Sequence, residues 1–420
     1  MKNILLLLIL MPILFISCLK DECTSTRIYA VYDPVYLHQS EFRKSSIELS
    51  ESYPLEIPGK LYFYQNYLLI NEQGKGIHFY DVSDDANPKE IVFYHLPGNF
   101  DMAINNDILY VDVVVDLVAL NIQDIKYPKI VNRVENYKNN YIPEDGMHYA
   151  YSVRSNRTEV LDCSDPNFGI PFFFRNNREV FLDVALPTSS VAQFESNAGS
   201  GGGGVGGSFA RFTISKEHMY TVDQSNLITW DIDGNSLEKI GTRNMGWGIE
   251  TIYPFGNYLF IGSNSGMFIY DNNNPVNPTL VSTFSHATAC DPVVTDGQYA
   301  YVTLRDGNQC QGFVNQLDVI DLTNIRNPNL VESYSMKNPH GLSVYGDYLF
   351  LGEGKYGFKI IDKSNPEKIK TVSYYEDIAT YDVIALSSER LFIVGENGFY
   401  LAKVEGDELK IKSSILVEEL

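Results

Sequence analysis

One stretch of the sequence decides the fold: Pro-His-Gly-Leu-Ser-Val at 339–344, Tyr-Leu-Phe-Leu at 348–351, Phe-Lys-Ile-Ile-Asp at 358–362, Asn365-Pro366, and Lys-Thr-Val-Ser-Tyr at 370–374. Its four segments are short, rich in aromatic and branched apolar residues, and separated by turn formers, a pattern typical of antiparallel strands. The third segment ends in an aspartate just before the Asn-Pro turn. We therefore expect residues 339–374 to form one small four-stranded sheet.

The same unit recurs along the chain. Its second strands begin near Tyr67, Ile108, Met219, Tyr258, Tyr299, Tyr348 and Leu391, and its third strands end at Asp81, Asn121, Asp231, Asp271, Asp321, Asp362 and Lys403. Outside the interval 137–208 the steps are about 39 to 50 residues, the size of a propeller blade. Because one such sheet cannot bury both faces alone, neighbours must stack around an axis. The sequence predicts an all-β, seven-bladed β-propeller of four-stranded antiparallel blades over 55–417, with eight blades as the alternative.

The third-strand segments at 76–82, 117–122, 317–322 and 358–362 resemble the LVIVD-repeat family of bacterial surface and secreted propellers. The resemblance extends over nearly all of residues 55–417. It implies the architecture and the location, and no particular biochemical activity.

The N-terminus resembles that of a bacterial lipoprotein. Lys2 is followed by an apolar run over 4–16 that is too short to span a bilayer, as in the hydrophobic region of a signal peptide. The run ends at Phe15-Ile16-Ser17-Cys18, which resembles a lipobox and implies acylation of Cys18 and removal of residues 1–17. Lys20-Asp21-Glu22 resembles the surface-export signal of Bacteroidetes lipoproteins. We expect a tether and lead-in over 18–54 and an outer-membrane, surface-facing protein that contacts the membrane through its lipid alone; a periplasm-facing protein is the alternative.

Charge and cysteine content limit the partners. Without Lys2 the chain has 31 basic and 53 acidic residues, a net charge of −22, which argues against nucleic acid as a ligand. In an oxidising compartment we expect a disulfide between Cys290 and Cys310, which fall in one repeat unit. Cys23 with Cys163 is the pairing that remains.

Residues 138–208 interrupt the repeat. The segments 149–153 and 159–162 resemble the second and third strands of a blade without its first strand, so we expect a hairpin insertion. The insertion ends in a Gly-rich tract at 199–208, which lacks the Lys-Ser/Thr of a phosphate-binding loop and is predicted to be a mobile loop.

Two rings of polar residues are predicted at one face of the propeller. The first ring, seven positions (give or take one) before each second strand, lies at the axial mouth: Lys60, Asp101, Arg211, Glu250, Asp291, His340 and Asp382. The outer ring lies at the corners between the second and third strands: Glu72, Asp112, Asp223, Ser263, Arg305, Glu353 and Glu396. These groups either pair with one another around a water-filled channel, or bind a cation, a sugar or a peptide carboxylate. Oxygen ligands of this kind suit Ca²⁺ or another hard cation at the channel mouth.

The pattern favours a non-enzymatic binding or scaffold module that presents this rim to a glycan, a peptide or an envelope protein. The alternative is a hydrolase-like enzyme in which His340 and Asp291 or Asp382 form a general-base pair. The sequence has no Gly-x-Ser-x-Gly elbow, CxxC metal-ligand spacing or Asp-box repeat, so we assign no catalytic or metal-binding residue.

Overall fold

The computed structural model describes residues 24–138, 143–162, 205–206, 210–223, 225–246, 248–263, 266–285, 292–305 and 314–417. They fall into two compact units, one with residues 24–34 and 152–162 and one with residues 35–151 and 205–417. Within the described ranges, no helix is long and apolar enough to cross a membrane.

Three elements precede the blades: β1 (Thr24–His38), α1 (Gln39–Phe42) and β2 (Glu48–Ser50). Blade 1 is β3 (Pro58–Tyr64), β4 (Tyr67–Glu72), β5 (Gly76–Asp81) and β6 (Lys89–His95). Blade 2 is β7 (Met102–Asn105), β8 (Ile108–Val113), β9 (Asp116–Asn121) and β10 (Lys129–Val134). Two strands outside the repeat follow, β11 (Met147–Asp162) and β12 (Val205–Gly206). β2 pairs with the outer edge of blade 1, and β1 pairs with β11 in a two-stranded sheet.

The other blades have the same arrangement. Blade 3 is β13 (Phe212–Ser215), β14 (His218–Val222), β15 (Asn226–Asp231) and β16 (Glu238–Asn244), and blade 4 is β17 (Ile249–Phe255), β18 (Tyr258–Ser263), β19 (Gly266–Asp271) and β20 (Thr279–Ser285). Blade 5 is β21 (Val293–Thr295), β22 (Tyr299–Leu304), β23 (Gln316–Asp321) and β24 (Asn329–Ser335). Blade 6 is β25 (Leu342–Tyr345), β26 (Tyr348–Gly352), β27 (Phe358–Asp362) and, after a 3-10 turn at Pro366–Lys368, β28 (Lys370–Tyr375). Blade 7 is β29 (Asp382–Ser387), β30 (Arg390–Gly395), β31 (Gly398–Glu405) and β32 (Glu408–Leu416).

The predicted seven-bladed propeller of four-stranded antiparallel blades is confirmed. Five of the seven second strands begin at the predicted residue, and β14 and β30 begin one residue earlier. Six of the third strands end where predicted, and β31 continues to Glu405 because it pairs with the long β32. The prediction of two short strands within 149–162 is wrong, since these residues belong to one strand that pairs with β1 instead of with a blade.

The aspartate at the end of the third strand explains the Asn-Pro turns. The Oδ1 atom of Asp81 accepts the N–H of Ser83 at 2.9 Å, and that of Asp362 accepts the N–H of Ser364 at 2.9 Å. An aspartate that bonds its own backbone two residues later starts a turn and ends the strand. The third and fourth strands of every blade also share one register shift near this end, for example between Ile360 and Ile361. Such a bulge increases the local twist of the sheet, as stacked blades require.

The first and last blades close the ring through side chains. Leu61 and Leu68 of blade 1 belong to one buried cluster with Phe392 of blade 7. At the same boundary Asp85 accepts a hydrogen bond from Arg390 Nε at 2.8 Å and one from Lys412 Nζ at 3.0 Å. Each blade is a continuous piece of chain, so this seam depends on packing and ion pairs rather than on a strand shared between the two ends.

The Gly-rich tract is described only at β12. Val205 and Gly206 pair antiparallel with Phe63 and Tyr62 of β3, the innermost strand of blade 1. The chain therefore adds a short strand on the axial side of this blade, and with β2 at the outer edge the sheet has six strands. Residues 199–204 and 207–208, for which we predicted a mobile loop, lie outside the described residues.

Candidate functional site

The first strand of each blade is innermost, and the axial ring lies at or just before its beginning. Of the described side chains in this ring, four are buried, with exposures of 6% for Lys60, 3% for Asp101, 3% for His340 and 0% for Asp382. Arg211 is exposed. The Glu250 side chain, Asp291 and all of Cys18, Cys23, Cys163, Cys290 and Cys310 lie outside what the structure describes.

Lys60 and Asp101 form a buried ion pair between blades 1 and 2. Asp101 also accepts the backbone N–H of Arg211 at 2.8 Å, so three blades meet at this carboxylate. Burial lowers the pKa of Lys60 and raises the pKa of Asp101, and in each case the charge of the partner opposes the shift. The arrangement matches the interpretation in which axial groups of opposite charge neutralise one another.

The outer ring has a repeated role in three blades. Its carboxylates accept backbone N–H groups of the segment that leads into the first strand of the same blade. Glu72 accepts from Glu56 and Ile57 at 3.0 and 2.8 Å; Asp112 accepts from Phe100 and Asp101, both at 2.9 Å; Glu353 accepts from Lys337 and Asn338 at 3.0 and 2.7 Å. These carboxylates are buried, so the hydrogen bonds replace water at N–H groups that precede the sheet.

A lysine accompanies two of these buried carboxylates. Lys138 pairs with Asp112, and Lys359 pairs with Glu353. Ammonium groups of the chain itself therefore supply the positive charge at these two corners. No group of three or more His, Cys, Asp or Glu is arranged to hold a metal ion in the described part of the chain.

The other corners of the outer ring differ. Asp223 is exposed and accepts N–H groups of its own turn from Ser225 and Asn226, both at 2.7 Å. The buried Ser263 donates to the carbonyl oxygen of Gly266 at 2.7 Å. Glu396 is exposed. Arg305 of blade 5 turns instead toward the axial histidine of blade 6.

His340 lies in a buried contact with this arginine. Arg305 Nη1 is 2.6 Å from Nδ1 and 2.7 Å from Nε2 of the imidazole, and Nε2 is 2.8 Å from the amide oxygen of Asn338. The ring also lies 5.3 Å from that of Tyr381. Burial, and next the positive charge of Arg305, hold the pKa of His340 well below its usual value. The imidazole is therefore neutral at physiological pH and can accept a hydrogen bond from the guanidinium.

Two asparagines complete the site and were not predicted. Asn99 is fully buried and donates to the Asp101 carbonyl and to Asp112 Oδ1, both at 2.9 Å. Asn338 contacts His340 as described above. Each asparagine stands two positions before the axial residue of its blade. An asparagine at this position in the aligned repeats was therefore the sequence signal that could have identified them.

Comparison with known proteins agrees with this fold. Three segments, residues 252–285, 288–336 and 339–377, match the LVIVD repeat. They correspond to blades 4, 5 and 6, so the chain carries LVIVD repeats in a β-propeller. No curated protein matches the chain.

Several solved structures are similar in shape. A functionally unknown protein from Desulfotomaculum acetoxidans has 14% identity and a TM-score of 0.51, with 83% of this chain and 95% of that chain covered. The computationally designed protein Ika8 has 9% identity and a TM-score of 0.50, with 87% of both chains covered. At these identities the similarity shows the fold alone.

Proposed function

We propose that the protein is a lipid-anchored, non-enzymatic propeller that binds a ligand or holds a partner at the surface of the outer membrane. The N-terminal sequence, from the apolar run to Cys18 and Lys20-Asp21-Glu22, supports the anchor and the surface location. The LVIVD repeats support a binding or scaffold role. The resemblance to the LVIVD-repeat family implies a location and no particular biochemical activity, which is consistent with such a role.

One observation carries the choice of binding over catalysis. Three titratable groups at the described part of the axial mouth contact other side chains of the protein: Lys60 and Asp101 pair with each other, and His340 contacts Arg305 and Asn338. A general base must reach the proton that it removes. The hydrolase-like alternative requires His340 to exchange these contacts for Asp291 or Asp382.

The anchor is tested by metabolic labelling with an alkyne analogue of palmitate. Cys18→Ser is expected to abolish labelling and to leave the signal peptide uncleaved. The matched control Cys23→Ser is expected to be labelled and cleaved as the wild type is. Labelling that survives in Cys18→Ser would contradict the lipoprotein proposal.

Surface display is tested by adding proteinase K to intact cells. The wild-type chain is expected to be digested, and replacement of Lys20, Asp21 and Glu22 by alanine is expected to protect it. Protection of the wild-type chain would favour the periplasm-facing alternative.

Non-reducing mass spectrometry of the same material tests the disulfide that we propose between Cys290 and Cys310.

The binding role is tested by screening the purified protein against glycans and peptides, with crosslinking on intact cells to capture an envelope partner. Hydrolysis of a screened compound that His340→Gln abolishes would overturn the non-enzymatic proposal.

A further inference from the structure

Blade 6 carries a group of aromatic and charged side chains around its corner between β26 and β27, and all of them are exposed except the half-buried Tyr374. We call it the blade-6 patch: Lys337, Lys355, Tyr356, Tyr374 and Glu376. The Lys355 ammonium lies 5.3 Å from the centre of the Tyr356 ring, and the Lys337 ammonium lies 4.8 Å from that of Tyr374 and 5.9 Å from that of Tyr356. Tyr356 is 40% exposed. Two ammonium groups thus flank a solvent-exposed phenol ring.

The positive charge of the patch is available to a ligand. Within the described ranges Lys355 makes no ion pair. Lys337 pairs with Glu376 at 2.8 Å, but the two side chains are 47% and 69% exposed, and pairs of this kind contribute little to stability. A bound anion can therefore replace Glu376 as the partner of Lys337 at small cost. Lys359 is different, because its ammonium is held by the buried Glu353.

The backbone of the corner holds Tyr356 in place before any ligand binds. The Tyr356 N–H donates to the Glu353 carbonyl at 3.0 Å, and the Glu353 N–H donates to the Gly357 carbonyl at 2.8 Å. Gly357 has a φ of +117°, a conformation that favours glycine. The hydroxyl of Tyr374 donates to the Tyr356 carbonyl. A backbone held in this way loses little conformational entropy on binding.

We propose that the blade-6 patch binds a saccharide that carries carboxylates, such as a chain of uronic acids. An exposed tyrosine ring stacks on the apolar C–H face of a pyranose, while the flanking ammonium groups bind its carboxylate. An acidic peptide offers the same charge without the flat C–H face. The inference rests on the proposed binding function, for which it names a ligand class and a site on the face of the outer ring.

The net charge of −21 does not prevent this, because charges further away than about 8 Å are largely screened at physiological ionic strength. Within the patch two ammonium groups stand against one carboxylate, that of Glu376, so the local charge is positive. Binding should consequently weaken as salt is added.

The test is isothermal titration of the full-length protein in detergent with a galacturonic acid hexamer, a neutral maltose-type hexamer and poly-glutamate. We expect the galacturonate to bind best and the neutral sugar not to bind. Tyr356→Ala and Lys355→Ala are each expected to weaken binding about tenfold, by loss of stacking and of one ammonium contact. The matched controls are Tyr127→Ala and Lys126→Ala, which change a 74% exposed tyrosine and its neighbouring lysine in a turn of blade 2. Neither control should alter the affinity.

The inference is overturned if the galacturonate does not bind, if Tyr356→Ala binds it as the wild type does, or if poly-glutamate binds equally well, which would indicate charge without saccharide recognition. If a different glycan or a peptide binds and Tyr356→Ala has no effect, the proposed binding function stands and the blade-6 patch is not its site.

Discussion

Replacing Lys60 by methionine tests whether the axial mouth is a structural ion pair. Methionine keeps most of the volume of the lysine stem and removes the ammonium, which leaves the Asp101 carboxylate 3% exposed with two backbone N–H donors, from Met102 and Arg211, each at 2.8 Å. An uncompensated buried charge costs about 3 to 5 kcal/mol. Asp101 can escape part of this cost by taking up a proton, at about 1.4 kcal/mol for each pH unit between its pKa and the solution pH.

The cost should therefore depend on pH. Because burial already raises the pKa of Asp101, loss of the lysine raises it further, and the protonated, less costly form is reached more easily in acid. We expect Lys60→Met to lower the free energy of unfolding by about 3 kcal/mol at pH 8 and by clearly less at pH 5. The double variant Lys60→Met/Asp101→Asn should lose less at pH 8 than Lys60→Met alone.

The assay is urea denaturation of the full-length protein in detergent, with the midpoint compared at constant slope. Lys239→Met serves as the control, since Lys239 is exposed and surface substitutions change stability by less than about 0.5 kcal/mol. A loss below about 1 kcal/mol at pH 8, or a double variant whose loss equals the sum of the two single variants, would refute the ion-pair interpretation.

Three further predictions concern the contacts around the propeller. Asp116→Ala should lower the free energy of unfolding in urea by about 3 kcal/mol and speed tryptic cleavage after Arg43. The reason is that it removes the fully buried acceptor of two Arg43 hydrogen bonds at 2.9 Å. Unchanged cleavage would contradict this. Asp85→Ala should lower the free energy of unfolding by about 1 kcal/mol, since its two basic partners in blade 7 are 24% and 26% exposed. A loss above about 3 kcal/mol would mean that the boundary between blades 1 and 7 depends on Asp85 far more than its exposure indicates. His340→Gln should flatten the fall in stability between pH 7 and pH 5: the lowered pKa of His340 contributes stability above its unfolded value of about 6.5, and this is lost as pH falls and the unfolded chain takes up the proton. Parallel stability-pH curves for His340→Gln and the wild type would show that the buried contact with Arg305 does not carry this dependence.

The limits of the sequence at the candidate site follow from how its residues are paired. Alignment of the repeats identified Asp101, Asp112 and Glu353 as members of two rings. It could not show that Asp112 and Glu353 accept backbone N–H groups, or that Lys138, 26 positions after Asp112, supplies the counter-charge. Such contacts depend on distances across a corner, and the repeat contains no information about them.

The lead-in shows the same limit. Residues 35–54 have no repeat and belong to the segment 18–54 that was predicted as a tether and lead-in. In the structure Arg43, directly after α1, binds Asp116 of blade 2, and β2 pairs with β6 of blade 1. The contact with blade 2 depends on Asp116, a buried carboxylate at the start of β9, and only the assembled sheet defines that position.

The sequence by itself determined the repeat, located the starts of the second strands and the ends of the third strands to within two residues, and favoured seven blades over eight. It did so because strand alternation, turn formers and the terminal aspartate act over a few residues and are legible in each unit. The tertiary structure alone decided which polar groups are buried and how they pair, since charges far apart in sequence meet only when neighbouring blades stack. Stacking brings Lys60 and Asp101 of the predicted ring into an ion pair and places the neutral His340 beside Arg305. It leaves Tyr356 and Lys355 facing the solvent.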